Sequence, residues 1–493
     1  MNATKMSPDT IDRNVILIIL DTVRKDFFDQ YATRVQTRSE TSFAQCRSAS
    51  TWSVESHASI LTGALPSVHE LHADTFRSGR TFADLRGGTF LETLNCQKLG
   101  YSANPYANSL FDFDLHFDEF HDFVSVDGLF PAGLSEYEFG HQVDLTGWQR
   151  QIAFMWACMT HEFPLRSLAN VASSKFDLDT HFPVFRRLTD DGASALLASA
   201  SGDIPTNEPF VMFLNLMDAH IPLYPRAHFD EDLHSAPRGW STNEIHKWDI
   251  NKDDAATSTY LSHYRSLYAA AIDYLDRQVA RFADEVATRT DRETTIIVTA
   301  DHGHNLGYPA EDGLVHHDGS MSEGVLHVPL EVINPPPGWP ESIPKLFSHL
   351  RLGDLIRSIA ASDDWDDSFT STAIPAEVFG LGGTGDARDY REFGAGEYEY
   401  WDRLIRCVYT GGDGTIVKHQ WDSLGTTEMY RLAQTRPCWQ DRTAESFDFR
   451  SLESKFFSAP AAVAKASTAG METQRPSMED DRLESHLRSL GYM

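Results

Sequence analysis

The chain has 493 residues, of which 41% are hydrophobic and 23% charged, the composition of a globular protein and not of a disordered one. Its formal net charge of −30 disfavours nucleic acid and anionic membranes as partners, because both would repel the chain. Arginine outnumbers lysine and the acidic residues are spread along the whole length, so we expect a halophilic protein, with an ordinary acidic protein as the alternative.

The first predicted element is a strand buried on both faces, within NVILIILDT at residues 14–22. Its apolar run, residues 15–20, is too short for a signal-peptide core or a membrane span, and no other run approaches membrane length. The five cysteines form no CxxC pair, which disfavours a disulfide framework and a zinc knuckle. We therefore expect a soluble, cytoplasmic protein.

The next segment, TWSVESHASILTG at residues 51–63, has the pattern of a polar turn that leads into a helix. Ser53 lies at the predicted helix start, where free amides and the helix dipole attract an anion. Beside a metal ion, a hydroxyl in this position can ionise and attack phosphorus or sulfur. The alternatives are that Ser53 is only an N-cap, or that Thr51 or Ser56 is the attacking group. His57 would either hold the anion or simply pack.

The middle of the chain alternates between helical and buried β patterns. Helices are predicted at residues 88–101 and 260–289, and buried strands at 209–220 and 293–304. This alternation indicates an α/β fold with a mostly parallel sheet flanked by helices. Between about 120 and 205 the pattern is irregular and rich in aromatic residues, which indicates a variable insertion or cap.

All three predicted strands are followed by acidic or histidine residues, namely Asp21, then Asp218 and His220, then Asp301 and His302. Ligands bind beyond the carboxyl ends of strands in open α/β sheets, so we expect these side chains to meet at one edge. Asp21 would offer a hard oxygen ligand, and Asp301 with His302 the mixed oxygen and nitrogen set that suits zinc or manganese. Taken singly, each of them could be an ordinary polar loop residue.

The last part of the chain has a different pattern. Residues 350–361 return to helix, and beyond about residue 385 three short β patterns joined by turns indicate a small antiparallel sheet. We therefore predict a catalytic α/β domain at 1–380, a small C-terminal α+β subdomain at 385–455, and a linker followed by a terminal helix at 456–493.

Several segments, in this order along the chain, resemble those of the sulfatase family of the alkaline phosphatase superfamily. The family's first strand with its metal-binding aspartate resembles NVILIILDTVRKD, and its nucleophile helix resembles SVESHASILTGALPSVHE. Later family segments resemble GYSANPYAN, FDFDLHFDEF, MDAHIPLYP, TADHGHNLG, HDGSMSEGVLHVPL, EMYRLA and RLESHLRSLGYM. The resemblance covers most of the chain apart from roughly residues 120–205, and it implies the sulfatase fold.

The resemblance also implies a metal centre and a nucleophile. Asp21, Ser53, Asp301 and His302 would bind one divalent metal ion (Ca, Mn, Mg or Zn). Counted back from the Leu-Thr-Gly at 61–63, Ser53 stands where the family keeps its nucleophile, and it would attack a sulfate ester. The partner would be a small-molecule or glycan sulfate or phosphate ester.

Four residues are predicted to bind the substrate, and they are His57, Asp218, His220 and His317. By resemblance, His220 and His317 hold the anionic group or protonate the leaving group, which makes them catalytic, and Asn104 approaches the substrate. From the residues alone one histidine of the pair His316 and His317 is a bystander, because a histidine-rich loop is often simply solvated.

The chain departs from the family pattern at four positions, 22, 55, 57 and 302. Ordinary sulfatases have Cys or Ser at the nucleophile position, converted to formylglycine within a Cys/Ser-x-Pro/Ala-x-Arg signature, whereas residues 53–57 read SVESH. Thr22 replaces a frequent second acidic ligand and His302 a frequent Asn, which favours one metal ion over two.

Four functions stay open at this point. The resemblance favours sulfate ester hydrolysis, whereas an unmodified serine favours phosphate monoesters or diesters. A phospho-group transferase is a third alternative. A non-catalytic anion- or glycan-binding relative is the fourth.

Overall fold

The structure of the protein is a computed structural model that describes residues 11–123, 133–134, 139, 147–161, 163–176, 187–253, 255–382, 393–412, 414–469 and 471. The strands, in chain order, are β1 (Asn14–Leu20), β2 (Thr41–Arg47), β3 (Gln97–Ser102), β4 (Glu119–Asp122), β5 (Phe210–Leu216), β6 (Thr294–Thr299), β7 (Asn305–Leu306), β8 (Val315–His316), β9 (Leu330–Ile333), β10 (Ser342–Ser348), β11 (Ala373–Phe379), β12 (Leu404–Gly412), β13 (Thr415–Asp422), β14 (Thr427–Leu432) and β15 (Asp441–Arg442).

The helices are α1 (Lys25–Tyr31), α2 (Thr33–Arg38), α3 (Ser53–Thr62), α4 (Pro66–His69), α5 (Ala73–Arg77), α6 (Gly147–Thr160), α7 (Pro164–Phe176), α8 (Ala193–Gly202), α9 (Lys247–Asp253), α10 (Ser258–Arg289), α11 (Glu323–Leu326), α12 (Leu352–Ala360), α13 (Ala395–Trp401), α14 (Phe449–Phe456) and α15 (Ala461–Thr468). None of the helices in this described part of the chain is both long and apolar enough to cross a membrane.

The main sheet has eight strands in the order β10-β2-β9-β6-β1-β5-β3-β4, and β9 alone runs against the others. Strand β1 lies at its centre, with Val15 opposite Val211 on one side and Thr295 on the other. Every residue of β1 and β5 is buried, because elements cover both faces of the sheet. The prediction of a mostly parallel α/β sheet flanked by helices is therefore confirmed.

A second sheet follows at the C-terminal side, with five antiparallel strands in the order β11-β12-β13-β14-β15. This confirms the predicted small antiparallel sheet. The long helix α10 and the helix α12 also occur where the apolar periodicity predicts them. All five cysteines lie in the described residues and are free thiols.

The helix predicted at residues 88–101 is wrong. The structure has a short 3₁₀ turn at Phe90–Thr93 and then strand β3, which pairs with β4 and β5. At Gly100 a Cβ atom would lie 2.4 Å from the ring of Phe120, so the strand needs a glycine there to approach its neighbours. Tertiary pairing outweighs the local helical pattern in this segment.

The segment 458–470 is predicted as part of a linker, but its residues Ala461–Thr468 form the docked helix α15. Ala461 is buried, and the Lys465 ammonium pairs with Asp74 and with Asp402 at 2.8 and 2.9 Å. The predicted terminal helix at 478–493 lies outside the described residues. Within the predicted insertion, α8 packs on α10, while α6 and α7 share a separate apolar cluster.

Candidate active site

Three side chains meet at the carboxyl edge of the main sheet. Asp21 follows β1, and Asp301 and His302 follow the neighbouring strand β6. One potential ligand atom from each of the three lies within 4.8 Å of the others, and all three side chains are fully buried. The ends of neighbouring strands thus bring Asp21 and Asp301 together, although they are 280 positions apart in the sequence.

Each carboxylate of this cluster keeps one oxygen without a hydrogen-bond donor among the described residues, namely Asp21 Oδ1 and Asp301 Oδ2. The other oxygens are occupied. Asp21 Oδ2 accepts from Asn104 Nδ2 at 2.6 Å, and Asp301 Oδ1 accepts from the Thr22 and His302 amides at 3.2 and 2.8 Å. Buried carboxylate oxygens without donors are costly unless a cation satisfies them.

His302 completes the set of candidate ligands. Its Nδ1 carries a hydrogen, which it donates to the carbonyl oxygen of Gly303 at 2.9 Å, so Nε2 is the ring nitrogen available to a metal ion. Nε2 lies 3.4 Å from Ser53 Oγ and 3.4 Å from Asp301 Oδ2. Two carboxylate oxygens, one imidazole nitrogen and a hydroxyl suit a divalent cation, so the residues present fit the metal ion that the fold family implies.

Burial and neighbouring charges shift the pKa values of the two carboxylates in opposite directions. Burial raises the pKa of Asp21 well above its usual value, and the charge of Asp301 raises it further. Burial acts on Asp301 in the same direction, but the His302 and His57 rings outweigh it and lower its pKa below the usual value. Two carboxylates buried this close together disfavour double ionisation, and a bound divalent cation would balance both charges.

Ser53 is the first residue of α3, and Trp52 takes the N-cap position without a side-chain cap. The Ser53 hydroxyl faces the cluster, with Oγ 3.4 Å from Asp21 Oδ2. The Ser56 hydroxyl lies instead against Ser48 Oγ at 3.3 Å. Of these two hydroxyls, the one at the cluster belongs to Ser53.

The structure places His57 in the core. Its Nδ1–H donates to the carbonyl oxygen of Ser53 at 2.7 Å, and its Nε2 accepts from Asn215 Nδ2 at 2.8 Å. The ring packs edge-on against Phe113 and Phe213, and burial lowers its pKa. This geometry matches the packing alternative for His57 and leaves neither ring nitrogen directed at a ligand.

Asp218 does not join the ligand cluster. Its Oδ1 accepts from the Asp191 amide at 3.1 Å, and Arg226 lies nearby, bound to both carboxylate oxygens of Asp191. Burial raises the pKa of Asp218 well above its usual value, and the charges of Asp190 and Asp191 add to this rise. Asp218 thus lies against residues 190–191 and outside the cluster of Asp21, Asp301 and His302.

His220 and His317 lie beside the cluster. The His317 ring centroid is 4.6 Å from that of His302 and 6.1 Å from that of His220. His220 Nδ1–H donates to the Ile221 carbonyl oxygen at 2.6 Å, and burial lowers its pKa to about 4. The neighbouring His316 turns towards His304, at a ring distance of 5.3 Å.

Two further polar features lie in this region. Asn104, which by resemblance approaches the substrate, donates from its side-chain amide to Asp21 Oδ2 and follows β3 at the same sheet edge. A buried ion pair joins Lys247 to Asp318 at 2.9 Å. Burial lowers the pKa of His317 well below its usual value, and the neighbouring histidines and Lys247 add to this shift. No sequence signal marks Lys247, because α9 brings it there through tertiary packing.

The chain was compared with known proteins. The sequence model of the Sulfatase family matches residues 13–360, and no curated protein matches. Similar solved structures are the phosphonate monoester hydrolases from Silicibacter pomeroyi (14% identity, 95% of this chain and 97% of that chain, TM-score 0.52) and Agrobacterium radiobacter (15%, 94% and 97%, 0.52). A 2-O GAG sulfatase is also similar (12%, 97% and 93%, 0.52). At these identities the likeness concerns the fold.

Proposed function

This chain belongs to the sulfatase family, and we propose that it is a metal-dependent hydrolase that cleaves sulfate esters through Ser53. The observation that carries the proposal is the position of the Ser53 hydroxyl, 3.4 Å from Asp21 Oδ2 and 3.4 Å from His302 Nε2. A hydroxyl at a helix start beside a divalent-cation site is placed to act as a nucleophile.

The residues that would hold the cation are Asp21, Asp301 and His302, with Ser53 Oγ as a further ligand. When bound, the ion supplies positive charge that lowers the pKa of the serine hydroxyl and stabilises charge on the transferred group. Asn104 fixes the orientation of the Asp21 carboxylate, and supporting contacts of this kind matter to metal affinity.

The reaction would proceed in two displacements. In the first, Ser53 Oγ forms a bond to sulfur as the bond from sulfur to the leaving oxygen breaks; the serine gives up its proton, and the leaving alcohol takes one up. In the second, water attacks the same sulfur, the Oγ–sulfur bond breaks, and a proton from that water restores the serine hydroxyl. His220 and His317, beside the cluster, would carry these protons and orient the anionic group.

A second candidate reaction is hydrolysis of phosphate monoesters or diesters by the same serine. The plain hydroxyl in the stretch SVESH favours it. A sulfated serine must be released by a second attack at sulfur, whereas a formylglycine hydrate can expel sulfate by collapsing to the aldehyde. The plain serine therefore provides the displacement that phosphatases use at phosphorus.

The test compares turnover of an aryl sulfate, an aryl phosphate and an aryl phosphodiester by the wild type and Ser53→Ala, in high salt with manganese. We expect Ser53→Ala to lose at least about 10³-fold in kcat, as expected when a nucleophile is removed. Sulfate as the fastest substrate supports the main proposal, and phosphate or diester as the fastest supports the second. Wild-type turnover by Ser53→Ala would overturn both.

A non-catalytic binder would give a different result. It would turn over none of the three esters and would bind an aryl sulfate equally well with Ser53 or with alanine. The buried cluster of Asp21, Asp301 and His302 favours an enzyme. In a protein that only binds anions, two buried carboxylates at the anion site would repel the ligand.

A further inference from the structure

Glu55, two residues after Ser53, joins three separate segments of the chain. Its side chain is fully buried. Oε2 accepts a hydrogen bond from Ser50 Oγ at 2.6 Å, and Oε1 accepts from the amides of Ala73 at 3.0 Å and Phe379 at 3.4 Å. One carboxylate thus ties the turn before α3, the first residue of α5 and the last residue of β11.

Strand β11 is the edge strand of the C-terminal sheet, so one side of its backbone is available to other partners. On that side the Glu377 amide donates to the carbonyl oxygen of Ala49 at 3.0 Å, and the Phe379 amide donates to Glu55. Residues 377 and 379 are two apart and therefore point the same way along the strand. The edge of the small sheet holds the chain both before and after Ser53.

Burying the carboxyl group of Glu55 costs free energy that its contacts must offset. Among the described residues, no cationic side chain forms an ion pair with it, and the negative charge of a second carboxylate, Glu377, acts on it. At the start of α3, Trp52 provides no side-chain cap. The hydrogen bonds of Glu55 tie this helix start to Ser50, Ala73 and Phe379.

We propose that Glu55 is a positioning residue that holds the start of α3 against the C-terminal sheet and so keeps Ser53 Oγ at the ligand cluster. This inference rests on the proposed function of Ser53. The groups expected to hold the substrate, His220 and His317, lie on other segments, after strands β5 and β8. Loss of Glu55 should therefore slow the chemical step more than it weakens substrate binding.

The expected effect follows from the geometry. A displacement of about 1 Å at a reacting group can cost about 10²-fold in rate. We expect Glu55→Ala to lower kcat about 100-fold while KM changes by less than about threefold. Glu55→Gln should restore most of the rate, because its Oε1 still accepts from Ala73 and Phe379 and its Nε2 can donate to Ser50 Oγ.

The matched control is Glu331, a buried glutamate on β9 that accepts from Ser42 Oγ at 2.8 Å. Glu331→Ala removes a buried carboxylate of the same kind away from Ser53. The experiment measures kcat and KM of both alanine variants and of Glu55→Gln, together with hydrogen exchange of peptides covering residues 48–56 and 377–382. Faster exchange in these two peptides is expected for Glu55→Ala only.

A kcat for Glu55→Ala within threefold of the wild type would overturn the proposal, and so would an equal loss in Glu331→Ala. Failure of the proposed function is recognised separately, because Ser53→Ala would then turn over the ester as the wild type does. In that case hydrogen exchange alone tests whether Glu55 holds the start of α3 against the C-terminal sheet. Faster exchange of both peptides in Glu55→Ala supports this contact, and unchanged exchange overturns it. If Glu55→Ala does not fold, the same readouts on Ser50→Ala, which removes only the 2.6 Å hydrogen bond, take its place with a smaller expected loss of about tenfold.

Discussion

Replacing Asp21 by asparagine should stabilise the metal-free protein while it weakens metal binding. In the metal-free state two buried carboxylates face each other within 4.8 Å. At an effective dielectric of about 20, two unit charges at that distance repel by about 3.5 kcal/mol. Taking up a proton relieves the repulsion, but that protonation also costs free energy at neutral pH.

Asp21→Asn removes one of the two charges, and its amide can keep the contact with Asn104 and donate towards Asp301. We therefore expect the free energy of unfolding of the chelated protein to rise by about 1 to 3 kcal/mol. With an unfolding entropy of about 2.1 cal/mol/K per residue, or about 1 kcal/mol/K for the whole chain, Tm should rise by about 1 to 3 °C.

The assay is thermal unfolding in chelator and in increasing manganese. Wild type should gain Tm as manganese is added, because a ligand that binds only the folded state stabilises it, and Asp21→Asn should gain much less. Asp276→Asn is the control, since Asp276 accepts from the amides of Arg34 and Val35 and its loss should lower Tm in both conditions. The reasoning would be refuted if the Tm of the wild type were the same in chelator and in manganese. It would also be refuted if Asp21→Asn had a lower Tm than the wild type in chelator.

Three further predictions concern other contacts. Asn104→Ala removes the 2.6 Å hydrogen bond to Asp21 and should weaken metal affinity about 10- to 100-fold, as measured by metal titration; unchanged affinity would contradict the supporting role. Burial lowers the pKa of His69 to about 3, so the folded state disfavours its protonation, and stability should be lost as pH falls from about 6.5 towards 3; His69→Gln should flatten this dependence in melts at a series of pH values. Lys465→Ala breaks the ion pair with Asp74 and should expose α15 to limited proteolysis while turnover stays at the wild-type level.

The sequence alone predicts the central part of the fold and three of the residues at the edge of its sheet. Strands β1, β5 and β6 are continuous apolar runs, and such runs are buried on both faces of a parallel sheet whatever surrounds them. Their carboxyl ends then share one edge, so the meeting of Asp21 with Asp301 follows from topology.

Other features depend on contacts between distant segments. The segment 88–101 has a helical pattern, yet it becomes strand β3 because β4 and β5 offer it backbone partners. The polar character of His57 and Asp218 is equally consistent with a ligand site or a buried network. Only the packing around them decides, and it directs the first to Asn215 and the second to Asp191.

Local periodicity and strand order by themselves determined three features. They are the parallel sheet, the start of α3 at Ser53, and the cluster of acidic and histidine residues beyond the strand ends. Tertiary structure alone decided which carboxylate oxygens stay without donors among the described residues, and which groups Asn104 and Glu55 contact. The physical reason is that a hydrogen bond forms only when its donor and acceptor are placed to within a few tenths of an ångström. No spacing along the chain encodes the distance between separate segments so accurately.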